Sequence, residues 1–227
     1  ITYNEEQKKA IKQALIKNFS IITGGPGTGK TTIIKGITQG YKMISGYSFD
    51  KLKERMVLLA PTGRAAKRMS ESCLYPASTI HRYLKWNKET GEFGYNERNK
   101  SPAEFIIVDE TSMIDIDLMA NFFKAMKNDV KIVFIGDYNQ LESVGPGKVL
   151  KDLIESEMIN TIFLKEIYRQ DQNSYITELA YEVNSGELTE SFLEKKDDYN
   201  FIKCDSTDAL KATTDVCKLA IKKGYDL

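Results

Sequence analysis

One octapeptide constrains this chain more than any other stretch: Gly24-Gly25-Pro26-Gly27-Thr28-Gly29-Lys30-Thr31 matches G-x-x-x-x-G-K-[ST] in full. The apolar run Phe19–Thr23 precedes it, and Ile33, Ile34 and Ile37 follow at helical spacing. A strand must therefore turn into a helix within a few residues, with glycines where the backbone bends inward. The N–H groups of such a turn, with the positive end of the following helix behind them, form a cradle for phosphate oxygens. Lys30 is expected to reach the β- and γ-phosphates and the Thr31 hydroxyl to bind Mg²⁺, so that residues Gly24 to Thr32, the latter through Thr32 itself, form the nucleotide-binding stretch. The fixed positions arise by accident in roughly one chain of this length in a hundred. The flanking strand and helix lower that further.

The same strand-then-helix rhythm continues along the chain. Short β-rich runs occur at Phe19–Thr23, Met56–Ala60, Phe105–Asp109, Val130–Gly136, Thr161–Leu164 and Tyr199–Lys203, several of them apolar throughout. Helical patterns lie between: Ile11 and Leu15; Leu118, Met119, Phe122, Phe123 and Met126; Ile176, Leu179, Ala180 and Val183, with Gly186 as a stop. Alternation of this kind predicts an α/β fold, a parallel sheet with helices on both faces and ligands at the carboxyl ends of the strands. The polar, turn-rich stretch from Trp86 to Pro102 interrupts the rhythm, and a small β-hairpin is expected there.

Two further strand ends carry candidate chemistry. Phe105-Ile106-Ile107-Val108 runs into Asp109-Glu110. Beside a complete phosphate loop, the first carboxylate suits Mg²⁺ and the second suits a general base that polarises attacking water. Val133-Phe134-Ile135-Gly136-Asp137 also ends in polar residues and is followed by Gln140, whose amide suits a contact to the γ-phosphate.

Composition excludes several classes. With 41% hydrophobic and 28% charged residues the chain is an ordinary globular one, and no apolar run approaches the ~20 residues of a membrane helix. Three scattered cysteines (Cys73, Cys204, Cys217) make neither a disulfide framework nor a zinc site, and reduced thiols in the cytoplasm are expected. Thirty-two basic residues balance 32 acidic ones, so nucleic-acid binding must rest on local sites. The chain begins with Ile1 rather than Met and carries no signal peptide, and we expect an excerpt from a longer protein.

Among nucleotide enzymes, GTPases carry Asn-Lys-x-Asp and ABC-type ATPases Leu-Ser-Gly-Gly; both are absent. An AAA-type ATPase stays open on the phosphate loop and Asp-Glu alone. The order of motifs resembles superfamily 1 DNA helicases of the RecD/TraA branch. Asn4-Glu5-Glu6-Gln7 looks like the family's Q motif, Ala60–Ala66 like motif Ia, and Ser78-Thr79-Ile80-His81-Arg82 like the next DNA-contact segment. Asp109–Met113 is similar to motif II, Gly136–Leu141 and Ser143–Gly147 to motif III, and Tyr168-Arg169-Gln170 to motif IV. Glu142 stands where the family usually has Pro and Tyr168 where Phe is commoner, and nothing resembles motifs V and VI of the second lobe.

The resemblance implies a RecA-like ATPase lobe at 1–165, with the hairpin insert near 86–102, and a helical linker with the incomplete start of a second lobe at 166–227. It implies that Gln7 reads adenine, that Lys30, Asp109, Glu110, Gln140 and Arg169 are catalytic, and that Thr62, Gly63, Arg64 and His81 touch DNA. ATP and Mg²⁺ are the implied cofactors. Single-stranded DNA, the duplex junction, RecB/RecC-type subunits and the missing second RecA-like lobe are the implied partners, with 5′-to-3′ travel. An AAA-type loader that binds DNA without unwinding it is the alternative. Arg64, Lys67 and Arg68 share a helix face by spacing, which suits either DNA phosphates or solvent. His81 suits a DNA contact or local packing, and Arg169 a γ-phosphate contact or an ordinary salt bridge. Trp86, Phe93 and Tyr95 suit either stacking on bases or a small local cluster.

Overall fold

A computed structural model describes residues 2–165 and 174–225. In unit one, α1 (Glu5–Ile16) opens with a capping box in which Asn4 and Gln7 satisfy each other's backbone N–H groups. β1 (Phe19–Gly24) leads into α2 (Lys30–Ser45), then α3 (Phe49–Arg55), β2 (Met56–Ala60) and α4 (Gly63–Cys73). β3 (Ala77–Thr79) and α5 (Ile80–Tyr83) precede β4 (Trp86–Asn87) and β5 (Glu92–Phe93), which pair antiparallel as the expected hairpin. β6 (Phe105–Val108), α6 (Ile116–Ala125), β7 (Lys131–Gly136), α7 (Val149–Glu155) and β8 (Asn160–Leu164) complete it.

The six main strands run parallel in the order β3-β2-β6-β7-β1-β8. Their alternate residues feed two cores. Ile21, Leu59, Ile106, Val108 and Phe134 face α5, α6 and α7, where Ile80, Leu118, Phe122 and Leu150 meet them. Ile22, Leu58, Ile107 and Ile135 face α1 to α4, meeting Ala10, Ile34, Leu52 and Met69. A sheet covered on both faces explains why its central strands read as unbroken apolar runs. The Leu118–Met126 stripe is core packing: Leu118, Met119, Phe122, Ala125 and Met126 are buried, and the edge-exposed Phe123 packs on Phe19 and Phe134.

One local expectation needs correction, and two short elements had no sequence signal. Tyr199–Lys203 is not a strand; it has no ladder partner among the described residues, and Phe201 and Ile202 stay exposed. β3 carries almost no apolar signal because it is a short edge strand, half-buried and paired only with β2. α3 is a seven-residue helix capped by Ser48 that holds only Leu52 in the core, too short to show a period.

Residues Ile1–Arg169 and Gln170–Leu227 form two compact units. In the second, α8 (Tyr175–Ser185) ends at Gly186 in the left-handed conformation, and α9 (Ala209–Lys222) follows a short 3₁₀ turn at Glu190–Leu193. Its small core centres on Tyr175, whose ring lies 5.2 Å from that of Tyr199 and whose backbone N–H donates to Asp198.

Candidate active site

Because all six strands are parallel, every loop with candidate chemistry leaves the same end of the sheet. Gly24 ends β1, and a Cβ there would lie 2.8 Å from the Leu164 Cβ, so only glycine allows the close approach of β1 to β8 at this point. Gly27 and Gly29 have φ of 81° and 84°, Pro26 lies exposed at the tip, and Gly29 caps α2. The Thr28 hydroxyl donates to the Gly25 carbonyl at 2.9 Å, closing the loop on itself. Lys30 Nζ donates to the carbonyls of Gly24 (2.6 Å) and Gly25 (2.9 Å), while Thr31 and Thr32 occupy the first turn of α2. Gln7 is buried; its Oε1 accepts from the Asn4 N–H, and its Nε2 stands 2.5 Å from where a Cβ on Gly29 would be. The expected adenine reader therefore also seals α1 onto the phosphate loop.

β7 separates β1 from β6, yet the ends of all three converge. Burial lowers the Lys30 pKa, and the carboxylates of Asp137, Asp109 and Glu110 oppose that shift. The Asp109 N–H donates to the Leu59 carbonyl, and Asp109 Oδ1 accepts from the Glu110 N–H at 2.9 Å. Thr111 is fully buried and its hydroxyl lies 3.1 Å from the carbonyls of both Val108 and Ile135, tying the ends of β6 and β7 together. The turn after β7 is fastened on both sides. The Tyr138 N–H donates to Thr23 Oγ1 at 3.1 Å, and the Ser112 hydroxyl donates to Gln140 Oε1 at 3.1 Å. Glu142, the residue in place of Pro, makes an ion pair with Lys148 at 3.2 Å.

Asp109 is held at a pKa of about 6, raised from 3.8 first by burial and then by Glu110, with the Glu110 N–H, Lys30 and Arg68 opposing. The folded chain thus binds that proton more tightly than the unfolded one. The associated stability is complete below about pH 3.8 and is lost as pH rises through about 6. At pH 7.5 the ionised carboxylate costs the nucleotide-free fold at most ~3 kcal/mol. Asp109→Asn is accordingly expected to raise the melting temperature at pH 7.5, by several degrees for ~1–2 kcal/mol in a chain of this size. Thermal melts at pH 7.5 and 4.5 check this: the gain shrinks at the lower pH, and a destabilised variant at pH 7.5 contradicts the assignment.

The expected DNA-contact residues lie farther along the same edge. Thr62 caps α4, its Oγ1 accepting from the Ala65 N–H at 3.2 Å, and Gly63 and Arg64 are exposed. Lys67 and Arg68 are exposed on the same helix, Lys67 4.0 Å from Glu71. His81 is exposed on α5, its ring 6.3 Å from that of Trp86 and 5.9 Å from that of Phe93. Trp86 and Phe93 pack at 4.6 Å and Tyr95 against Tyr83 at 5.7 Å, so the insert's aromatics form a local cluster, with Trp86 still 43% exposed. Arg169, with Tyr168 and Gln170, lies outside the described residues. Sequence reasoning gave Asp137 no role; the one available signal was its place, just past a buried strand that pairs with β1.

Residues 2–207 match the family model described as an AAA domain. The RecBCD enzyme subunit RecD of Buchnera aphidicola subsp. Schizaphis graminum is 33% identical over 217 residues, covering 87% of this chain and 35% of its own length. The RecBCD subunit RecD of Mycolicibacterium smegmatis is 36% identical over 66% of this chain and 30% of its own. The ATP-dependent RecD2 DNA helicase of Deinococcus radiodurans is 33% identical over 81% of this chain and 24% of its own. Among solved structures, Pif1 helicase from Candida albicans matches with a TM-score of 0.60 at 22% identity, over 91% of this chain and 50% of that one. Bacteroides sp Pif1 in complex with ADP-AlF4 matches at 0.58 and 20%, over 95% and 57%; at such identities the likeness is one of fold. The chain spans about a third or less of the length of these curated relatives. On sequence and fold together, it belongs to the RecD-type branch of the superfamily 1 DNA helicases.

Proposed function

We propose that this chain is the ATP-binding motor lobe of a DNA helicase, with 1–165 as the RecA-like lobe and 166–227 as the linker and start of a second lobe. One observation carries the reading: the parallel order β6-β7-β1 brings Asp109 and Glu110, Asp137 and the phosphate-loop Lys30 to one end of the sheet, where the three carboxylates oppose the fall in the Lys30 pKa. ATP would lie on residues 24–32 with its base at Gln7. Its phosphates would take over the bonds that Lys30 now donates to the Gly24 and Gly25 carbonyls. The Thr31 hydroxyl and Asp109 are hard oxygen donors that fit Mg²⁺, which when bound neutralises charge on the β- and γ-phosphate oxygens. Glu110 accepts the proton of the attacking water. The Gln140 side-chain N–H₂ is free to donate to the γ-phosphate while its oxygen is held by Ser112. Arg169 supplies a further cation at that phosphate.

Single-stranded DNA would cross Thr62–Arg64 and His81, and closure of a second lobe over the nucleotide would turn each hydrolysis into a step, 5′-to-3′ by family resemblance. The names of two relatives, each a RecBCD enzyme subunit RecD, support a place beside RecB- and RecC-type subunits. No described helix is long and apolar enough to cross a membrane, in keeping with a cytoplasmic setting. A forked duplex offered to the full-length protein with ATP tests the reading, strand separation being the expected result. Intact DNA-stimulated ATPase without strand separation would favour a loader.

A further inference from the structure

The turn that follows β7 is fixed as far as the Cα of Gln140. Asp137 Oδ1 accepts from the Asn139 N–H at 3.0 Å, the Asp137 carbonyl accepts from the Gln140 N–H at 3.1 Å, and Thr23 Oγ1 holds the Tyr138 N–H. Beyond that Cα lies a long, exposed glutamine side chain, which water alone would leave to sample many rotamers. A contact to the γ-phosphate needs one of them. Phosphate oxygens only accept, so the amide must also present its N–H₂ end and turn its oxygen away.

Ser112 supplies what that orientation requires. Its hydroxyl donates to Gln140 Oε1 at 3.1 Å, the one hydrogen bond that the Gln140 side chain makes among the described residues. The serine itself stands on a firm base. It lies in a 3₁₀ turn, Thr111–Met113, in which the Met113 N–H donates to the Glu110 carbonyl and the Ile114 N–H to the Thr111 carbonyl, both at 3.1 Å. The last ladder pair of β6 and β7 is Val108 with Phe134; past it the buried Thr111 hydroxyl lies 3.1 Å from the Val108 and Ile135 carbonyls, carrying the contact between the strands one step further. The Ser112 nitrogen comes within 3.4 Å of where a Gly136 Cβ would be, so the turn packs directly on the end of β7. One turn thus carries both the Glu110 carboxylate and the hydroxyl that holds Gln140.

We infer that Ser112 is a positioning residue for ATP hydrolysis: its hydroxyl holds the Gln140 amide in the orientation that offers N–H₂ to the γ-phosphate. This role rests on the motor reading, in which Gln140 meets that phosphate. A serine hydroxyl can accept from Nε2 as well as donate to Oε1. With a triphosphate on the other side, only the second arrangement satisfies both ends of the amide, so the tie takes its productive form when nucleotide arrives. Released from Ser112, Gln140 would spread over its rotamers, and hydrolysis would slow by the share of time it spends out of place.

Single-turnover hydrolysis by the full-length protein with single-stranded DNA, beside titration of a non-hydrolysable ATP analogue, tests this. Ser112→Ala is expected to lower the hydrolysis rate constant about tenfold while analogue affinity stays within about threefold of the parent's, because the phosphate loop is untouched. Ser112 is only half-buried and its bond lies at the surface, so the variant should fold. Ser112→Thr keeps the hydroxyl and should recover the parent's rate to within about twofold. Gln140→Ala should be at least as slow as Ser112→Ala, and the double variant no slower than Gln140→Ala, since a hydroxyl that acts through Gln140 then has nothing left to position. Losses that multiply in the double variant, a Ser112→Ala rate at the parent's level, or a threonine variant as slow as the alanine one each overturn the positioning role and leave the motor reading standing. Gln140→Ala at the parent's rate removes Gln140 from the γ-phosphate and overturns both that placement and the role of Ser112.

Discussion

Lys30→Ala in the full-length protein is expected to abolish DNA-stimulated ATP hydrolysis and to weaken binding of a non-hydrolysable ATP analogue by about 10²-fold, some ~3 kcal/mol. The reason lies in the balance of charge at the strand ends. Lys30 is the cation that three carboxylates, Asp137, Asp109 and Glu110, act upon, and it waits on the Gly24 and Gly25 carbonyls. Without it a triphosphate would face those carboxylates with only the N–H groups of the loop and the end of α2 to hold it. The fold itself should survive. Burial lowers the Lys30 pKa, which means that the folded state pays to keep this ammonium charged, so its removal is not destabilising on that account. Isothermal titration with the analogue, a DNA-stimulated phosphate-release assay and a thermal melt check the three parts together. Activity within a few-fold of the parent, in a folded variant, would refute the placement of Lys30. Lys30→Arg should not restore function, because a planar guanidinium cannot occupy the place of a compact ammonium between two carbonyls.

Much of this site was legible in the linear sequence, for reasons that differ from residue to residue. Gly24 and Gly29 could be read because a side chain at either meets atoms within 3 Å, so the motif is a steric requirement. Phe105 to Val108 could be read as a buried strand, and Asp109 as its polar exit, because burial on both faces leaves no alternation to confuse the period. Other features had no local signature. Asp137 gains its meaning from the parallel pairing of β7 with β1, a relation between residues more than 110 positions apart. The ties of Thr23 to the Tyr138 N–H and of Ser112 to Gln140 are equally non-local. The run Tyr199–Lys203 misled in the opposite sense: an alternation suited to a strand stays irregular where no described neighbour offers a ladder. Trp86 and Phe93 were ambiguous by nature, since exposed aromatics that stack on bases and aromatics that stack on one another share one composition.

Glu110→Gln is expected to lower kcat by about 10²–10⁴-fold while leaving nucleotide affinity near that of the parent. The substitution keeps shape and hydrogen-bonding reach but removes the group that takes a proton from water. Backbone geometry makes the comparison with glycine informative. Glu110 sits at φ 53°, ψ 40°, a left-handed conformation that costs a side-chain-bearing residue roughly 1–2 kcal/mol. The surroundings enforce it. Asp109 Oδ1 holds the Glu110 N–H, and the Thr111 hydroxyl is anchored at the ends of β6 and β7. Gly136 leaves no space for the chain to relax, since a Cβ there would lie 2.8 Å from Leu150 Cδ2 and 3.3 Å from the Thr111 nitrogen. Glu110→Gly therefore removes strain and should stabilise the fold by up to about 1 kcal/mol, yet it is expected to be as inactive as Glu110→Gln. A stabilised and inactive glycine variant would mean that strain is maintained to aim one carboxylate, the pattern of a residue placed for chemistry. Single-turnover hydrolysis beside denaturant melts of both variants separates the possibilities: a destabilised glycine variant refutes the strain, and a glutamine variant that keeps the parent's hydrolysis rate removes Glu110 from the role of base.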